Sequence, residues 1–69
     1  MFFAIEEKMI IKIYSDPTPD RDTVIRKIRE SVPYVADEQT KEIMNRIVSK
    51  AESMSREEFS LIDLSDIPG

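Results

Sequence analysis

The chain has 69 residues, 41% of them hydrophobic and 35% charged, with a net charge of −4, a single Gly and neither Cys nor His. A chain this short is one domain at most, and it buries only about 60% of its unfolded surface. Disulfides are excluded and a structural zinc site is effectively excluded, so association with a second copy is the cheapest remaining support, and a homodimer is the expected form.

The charge is unevenly spread. Residues 1–50 carry nine basic and nine acidic side chains, whereas residues 51–69 carry Arg56 against Glu52, Glu57, Glu58, Asp63 and Asp66. The body is neutral and the excess sits at the C-terminal end, a pattern that suits either an interaction tail or a solvated final helix. The Met1–Ile5 stretch is apolar but is followed at once by Glu6 and Glu7, without the basic and longer apolar regions of a signal peptide. No apolar run approaches the length that spans a bilayer. The expected location is the cytoplasm, away from membranes.

Phe2 to Tyr14 reads as the one β-like region. Met9 to Tyr14 is rich in β-branched residues and is followed by Ser15-Asp16-Pro17, which ends a strand. Met9, Ile11 and Ile13 form an apolar face, with Ile10, Lys12 and Tyr14 on a mixed one. Residues 2–5 supply a hairpin partner through a Glu6-Glu7-Lys8 turn, or else the strand pairs with its copy in a second subunit.

A first helix is expected over residues 19–31, with Thr18 as cap and Pro19 at its first position. Val24, Ile25, Ile28 and Val32 make its apolar face. Arg26, Lys27 and Arg29 lie on its flank and back, either as a solvated face or as phosphate contacts, while Arg21 projects near the apolar side. Pro33 pushes Val32 out of the helical region, and Tyr34 and Val35 fill the corner before the next helix.

The central element is an amphipathic helix over residues 37–54. Ile43, Met44, Ile47, Val48, Ala51 and Met54 share one stripe, Asp37 is the N-cap and Glu38 adds charge to the first turn. Glu42 and Arg46 stand in the favourable i, i+4 order. Ser55-Arg56-Glu57-Glu58 then matches a capping box that opens a short third helix over residues 55–62, with Phe59 and Ile62 inward. The alternation of Phe59-Ser60-Leu61 also fits a strand. Residues 63–69 lack helical period and form a frayed acidic tail.

The fold class that follows is α+β, mostly helical and dimeric. Catalysis is not expected: there is no imidazole or thiol, the only Gly is the last residue, and the acidic pairs lie at helix starts or turns. No cofactor or metal is expected either. The leading functional reading is a small protein-interaction module, an adaptor, inhibitor or regulator. Its candidate contacts are Phe59, Leu61, Ile62, Asp63, Leu64 and Asp66, an acidic segment with Leu and Ile that suits a partner's groove. Leu61 to Leu64 is also a candidate short linear motif.

The order of strand 9–14, helix 19–31 and helix 37–54 resembles the ribbon-helix-helix layout of small dimeric repressors and antitoxins. The resemblance is one of topology and covers about the first three quarters of the chain. It implies paired strands in a DNA major groove, with Ile10, Lys12 and Tyr14 facing bases and Arg26, Lys27 and Arg29 as further DNA contacts. Val32-Pro33-Tyr34-Val35 stands where that family has a polar Gly or Asn turn.

Overall fold

The computed structural model describes residues 3–15 and 20–64. Four helices follow one another: α1 (Ile5–Tyr14), α2 (Arg21–Ser31), α3 (Glu38–Glu52) and α4 (Arg56–Ser60), with a 3-10 turn at Val32–Tyr34. Among the described residues there is no strand, so the α+β class is corrected to an all-helical one.

The expected strand at residues 9–14 is the second half of α1. Local chemistry at the start of that segment favours the helix. Glu6 and Glu7 sit in its first turn, where the helix dipole favours negative charge, and the Ala4 N–H donates to Glu7 Oε1 at 2.7 Å. This is the return half of a capping box, because Ala4 has no side-chain acceptor of its own. Among the described residues the β-branched run has no neighbouring strand to pair with. A lone strand leaves its backbone groups unpaired, whereas a helix satisfies them internally. Inward, α1 turns Glu7 and Ile11, with Ile10 and Tyr14 half-buried beside them.

Helix α2 opens two residues later than proline placement suggests. Its cap is Asp20, which accepts from the Thr23 N–H at 3.0 Å and the Thr23 hydroxyl at 2.7 Å. The expected cap Thr18 and the expected first residue Pro19 lie outside the described residues. Val24, Ile25 and Ile28 are buried as their spacing requires.

Pro33 ends α2 by a different route from the one expected. Val32 keeps helical dihedrals (φ −51°, ψ −43°), and its N–H still bonds to the Ile28 carbonyl. Pro33 then falls in the opening of the 3-10 turn, where its missing N–H costs nothing. Tyr34 does not fill the corner. It is 88% exposed, and Val32 and Val35 pack against the core in its place.

Helix α3 matches its sequence signals. Asp37 caps it by accepting from the Thr40 N–H and hydroxyl at 3.1 and 2.6 Å. Met44, Ile47, Val48 and Ala51 are buried, with Ile43 and Met54 half-buried beside them. Arg46 does not turn to Glu42. It approaches Glu7 of α1 instead.

Helix α4 is held by a complete capping box. The Ser55 N–H donates to Glu58 Oε1 at 2.8 Å, and the Glu58 N–H donates to Ser55 Oγ at 3.0 Å. It ends at Ser60, two residues short of the expected limit, and it is a helix rather than a strand. Phe59 is fully buried and meets Phe3 edge-on, with ring centroids 6.3 Å apart.

The core is therefore one cluster in which Phe3 and Ile11 from the N-terminal segment, three residues of α2, four of α3 and Phe59 of α4 meet. The apolar stripe of α3 is covered by residues of its own chain.

Two charged links close the bundle. Glu7 has no exposed surface, and Lys50 Nζ donates to both its oxygens at 2.8 and 3.1 Å, with Arg46 Nε 3.8 Å away. Lys50 also lies 5.7 Å from the centre of the Phe3 ring. On the far side, Arg56 Nη2 donates to Asp20 Oδ1 at 2.9 Å, tying the start of α4 to the start of α2. Arg21 Nη1 donates to the Met54 carbonyl at 2.7 Å, an acceptor just past the end of α3.

Phe59→Ala is expected to cost about 3–5 kcal/mol, comparable with the whole stability of a domain this size. Urea unfolding followed by circular dichroism measures it; a loss under about 1 kcal/mol would show that α4 is not part of the core.

Acid should lower the stability of the fold progressively. Burial by itself raises the Glu7 carboxyl, but the Lys50 ammonium, the Ala4 N–H and the charge of Arg46 outweigh it and hold Glu7 below the usual carboxylate range. The Thr23 hydroxyl, Arg56 and the Thr23 N–H lower Asp20 to about 2, and Thr40 lowers Asp37. All three bind a proton less readily folded than unfolded. Their contribution is therefore complete above about pH 5 and is lost as pH falls through the folded values, Asp20 near the bottom of that range. Denaturant midpoints from pH 7 to pH 2 should follow this decline. Glu7→Gln should start lower at pH 7 and fall less steeply, and an unchanged profile would remove Glu7 from the account.

Candidate docking face on the first helix

Helices α2 and α3 divide in the usual way, apolar inward and polar outward. Helix α1 does not. Its sequence Ile5-Glu6-Glu7-Lys8-Met9-Ile10-Ile11-Lys12-Ile13-Tyr14 has apolar residues on both faces. One face, with Ile11, lies in the core. The other carries Ile5, Met9 and Ile13 at i, i+4 and i+8, and these are 67%, 42% and 70% exposed. Three aligned apolar side chains in solvent, with charged residues beside them, form an apolar strip along the outer side of α1.

The orientation of this face is set from behind. Glu7 is one residue from Glu6 in sequence but points the opposite way, into Lys50 and Arg46. Once that carboxylate is engaged, the rotation of α1 is fixed and Ile5, Met9 and Ile13 face outward. A period of two puts Met9, Ile11 and Ile13 on one face, whereas the helix turns Ile11 inward and Met9 and Ile13 outward. The signal that finds the true arrangement is the pairing of an acidic first turn with residues spaced by four.

A second surface is a cleft of about 620 Å³ between α2 and the end of α3, lined by Arg21, Asp22, Ile25, Arg26, Arg29, Glu30 and Glu52. It holds three guanidinium groups and three carboxylates. Arg21 bonds to Asp22 through Nε and Nη2 at 3.0 and 2.9 Å, Arg26 to Glu30 at 3.3 Å, and Arg29 to Glu52. The cleft is neutral, and its arginines are already paired.

The candidate residues read from sequence are distributed as follows. Phe59 is in the core, while Ile62 and Leu64 pack against it. Leu61 and Asp63 point outward, Leu61 with 79% exposure. Asp66 lies outside the described residues. Among the described residues of the acidic segment, Phe59, Ile62 and Leu64 turn toward the core and Leu61 and Asp63 toward solvent. Of the candidate DNA contacts, Lys12 and Tyr14 are on the last turn of α1, with Tyr14 packed against the core. Arg26 and Arg29 are paired in the cleft and Lys27 is half-buried. The paired ribbon that would carry Lys12 and Tyr14 into a groove is replaced by a helix.

Among the described residues, no three carboxylates converge as a metal site. No described helix is long and apolar enough to cross a membrane. Comparison with protein-family models, with curated proteins and with solved structures found no match.

The Arg26–Glu30 and Arg29–Glu52 pairs are largely exposed, so Arg26→Ala and Arg29→Ala should each change stability by less than about 1 kcal/mol. Thermal melts at low salt test this; a larger loss would show that the cleft's ion pairs hold α2 against α3.

Proposed function

We propose that this chain is a small protein-interaction module without catalytic activity, and that it takes its partner on the outer face of α1. The observation that supports this reading most directly is the exposure of Ile5, Met9 and Ile13 along a helix whose opposite face is already buried. A core residue left in water gains nothing for the fold. The same three residues, spaced by four, match the anchors used when one helix lies along another or in a groove. The reading places the contact on α1 rather than on the acidic C-terminal segment, because Phe59, Ile62 and Leu64 serve the core.

The wild-type chain, immobilised, is used to capture partners from the cells that make it, alongside Ile13→Lys and Arg26→Ala. A specific partner should be held by the wild type and by Arg26→Ala, and at least about tenfold less by Ile13→Lys, which sets a charge into the apolar contact. Equal retention by all three would overturn the α1 face as the docking site.

A further inference from the structure

The flanks of the α1 face differ in sign. At about 100° per residue with Ile5 at zero, Met9 and Ile13 lie at about 40° and 80°, Lys12 and Lys8 at about −20° and −60°, and Glu6 at about 100°. The apolar stripe therefore runs between a lysine edge and a glutamate edge. Neither the Lys8 ammonium nor the Glu6 carboxylate pairs with another charged group among the described residues.

We propose that a second copy of this chain docks on this face, the two α1 helices lying side by side and parallel. The inference rests on the docking reading above and deepens it: a second copy covers the face when no other protein holds it.

Two-fold symmetry decides the direction. In a parallel pair, the Glu6 edge of each helix meets the lysine edge of the other, on both sides of the contact. In an antiparallel pair, each edge meets its own copy. Four lysines then crowd one side and two glutamates share the other. Opposite charges across the contact favour the first arrangement, and like charges penalise the second. Glu6 precedes Lys8 by about 3 Å along the axis and Lys12 by about 9 Å, and helical side chains lean toward the N-terminus, which brings the longer lysines back toward Glu6. An unrelated helix also fits the apolar stripe, but only a second copy brings its complementary edges by construction.

The contact is small. Three side chains offer a few hundred Å² per copy, so two copies bury less than the roughly 1,000 Å² of a stable interface. The dimer is accordingly weak and exchanging, as suits a chain that already covers its core with its own residues.

Sedimentation equilibrium of the full chain at low salt, from about 10 μM to about 1 mM, tests the proposal. The wild type should pass from monomer to dimer across that range. Ile13→Lys should raise the dissociation constant at least about tenfold. Glu6→Lys and Lys8→Glu should each weaken association several-fold, and the double variant should recover most of it. All these positions face away from the core, and circular dichroism melts confirm that each variant remains folded. A wild type that stays monomeric up to about 1 mM overturns the proposal. So does a double variant no better than the single ones, and so does a stronger dimer from Lys8→Glu, the sign of antiparallel packing. A monomeric wild type whose partner capture is still abolished by Ile13→Lys would remove the second copy and leave the docking face standing. A dimer without loss of capture would do the reverse.

Discussion

The ion pair between Glu7 and Lys50 fixes how α1 sits on the rest of the molecule, and much else depends on it. An apolar helix with two nearly equal faces has two ways to bury itself. A carboxylate that can be sheltered only where Lys50 and Arg46 wait removes the ambiguity. A buried pair of this kind contributes little net stability against a well-packed apolar alternative, because both charges lose their water. Its contribution is specificity. With Glu7 at Lys50, Ile11 enters the core, Phe3 is carried onto Phe59 and beneath the Lys50 ammonium, and Ile5, Met9 and Ile13 are left outside. The same contact that closes the fold thus defines its exposed apolar face.

The packing also changes the reason this protein would seek company. A short chain without disulfides or metal suggests that a second copy completes the core. Here the stripe of α3 is sealed by Ile11, by the inner face of α2 and by Phe59, all from one chain. Among the described residues, no buried side-chain polar atom lacks a hydrogen bond. Among the described residues, the large apolar side chains left exposed are Ile5, Met9 and Ile13 on the back of α1, together with Tyr34 and Leu61.

Short charged links do for this chain what a larger core does for a longer one. Asp20 caps α2 through Thr23 and holds Arg56 at the start of α4, so one carboxylate organises two helix starts. Beside it, Arg21 reaches the Met54 carbonyl just after α3. Arg56 also stands 3.6 Å from Asp22. The Arg56 pairs are exposed and individually weak, whereas the Asp20 cap and the Arg21–Met54 bond are partly buried. Together they set the corner where three helix ends meet and lead Phe59 to its place.

Some of this was legible in the residues alone. Helix α3, its Asp37 cap, the apolar face of α2 and the Ser55–Glu58 box all follow from spacing and capping chemistry, which act over three or four residues and need no distant partner. The identity of residues 5–14 was not. Alternation of Met9, Ile11 and Ile13 and the abundance of isoleucine suit a strand, but a strand needs a neighbour, and this chain supplies helices instead. Likewise Phe59, Ile62 and Leu64 read as partner contacts until the fold brings α4 against Phe3 and the start of α2. Sequence settled the elements whose stabilising groups lie within one turn of each other. Only the tertiary structure decided which face of α1 is inside, because that choice depends on Lys50, more than forty positions away along the chain.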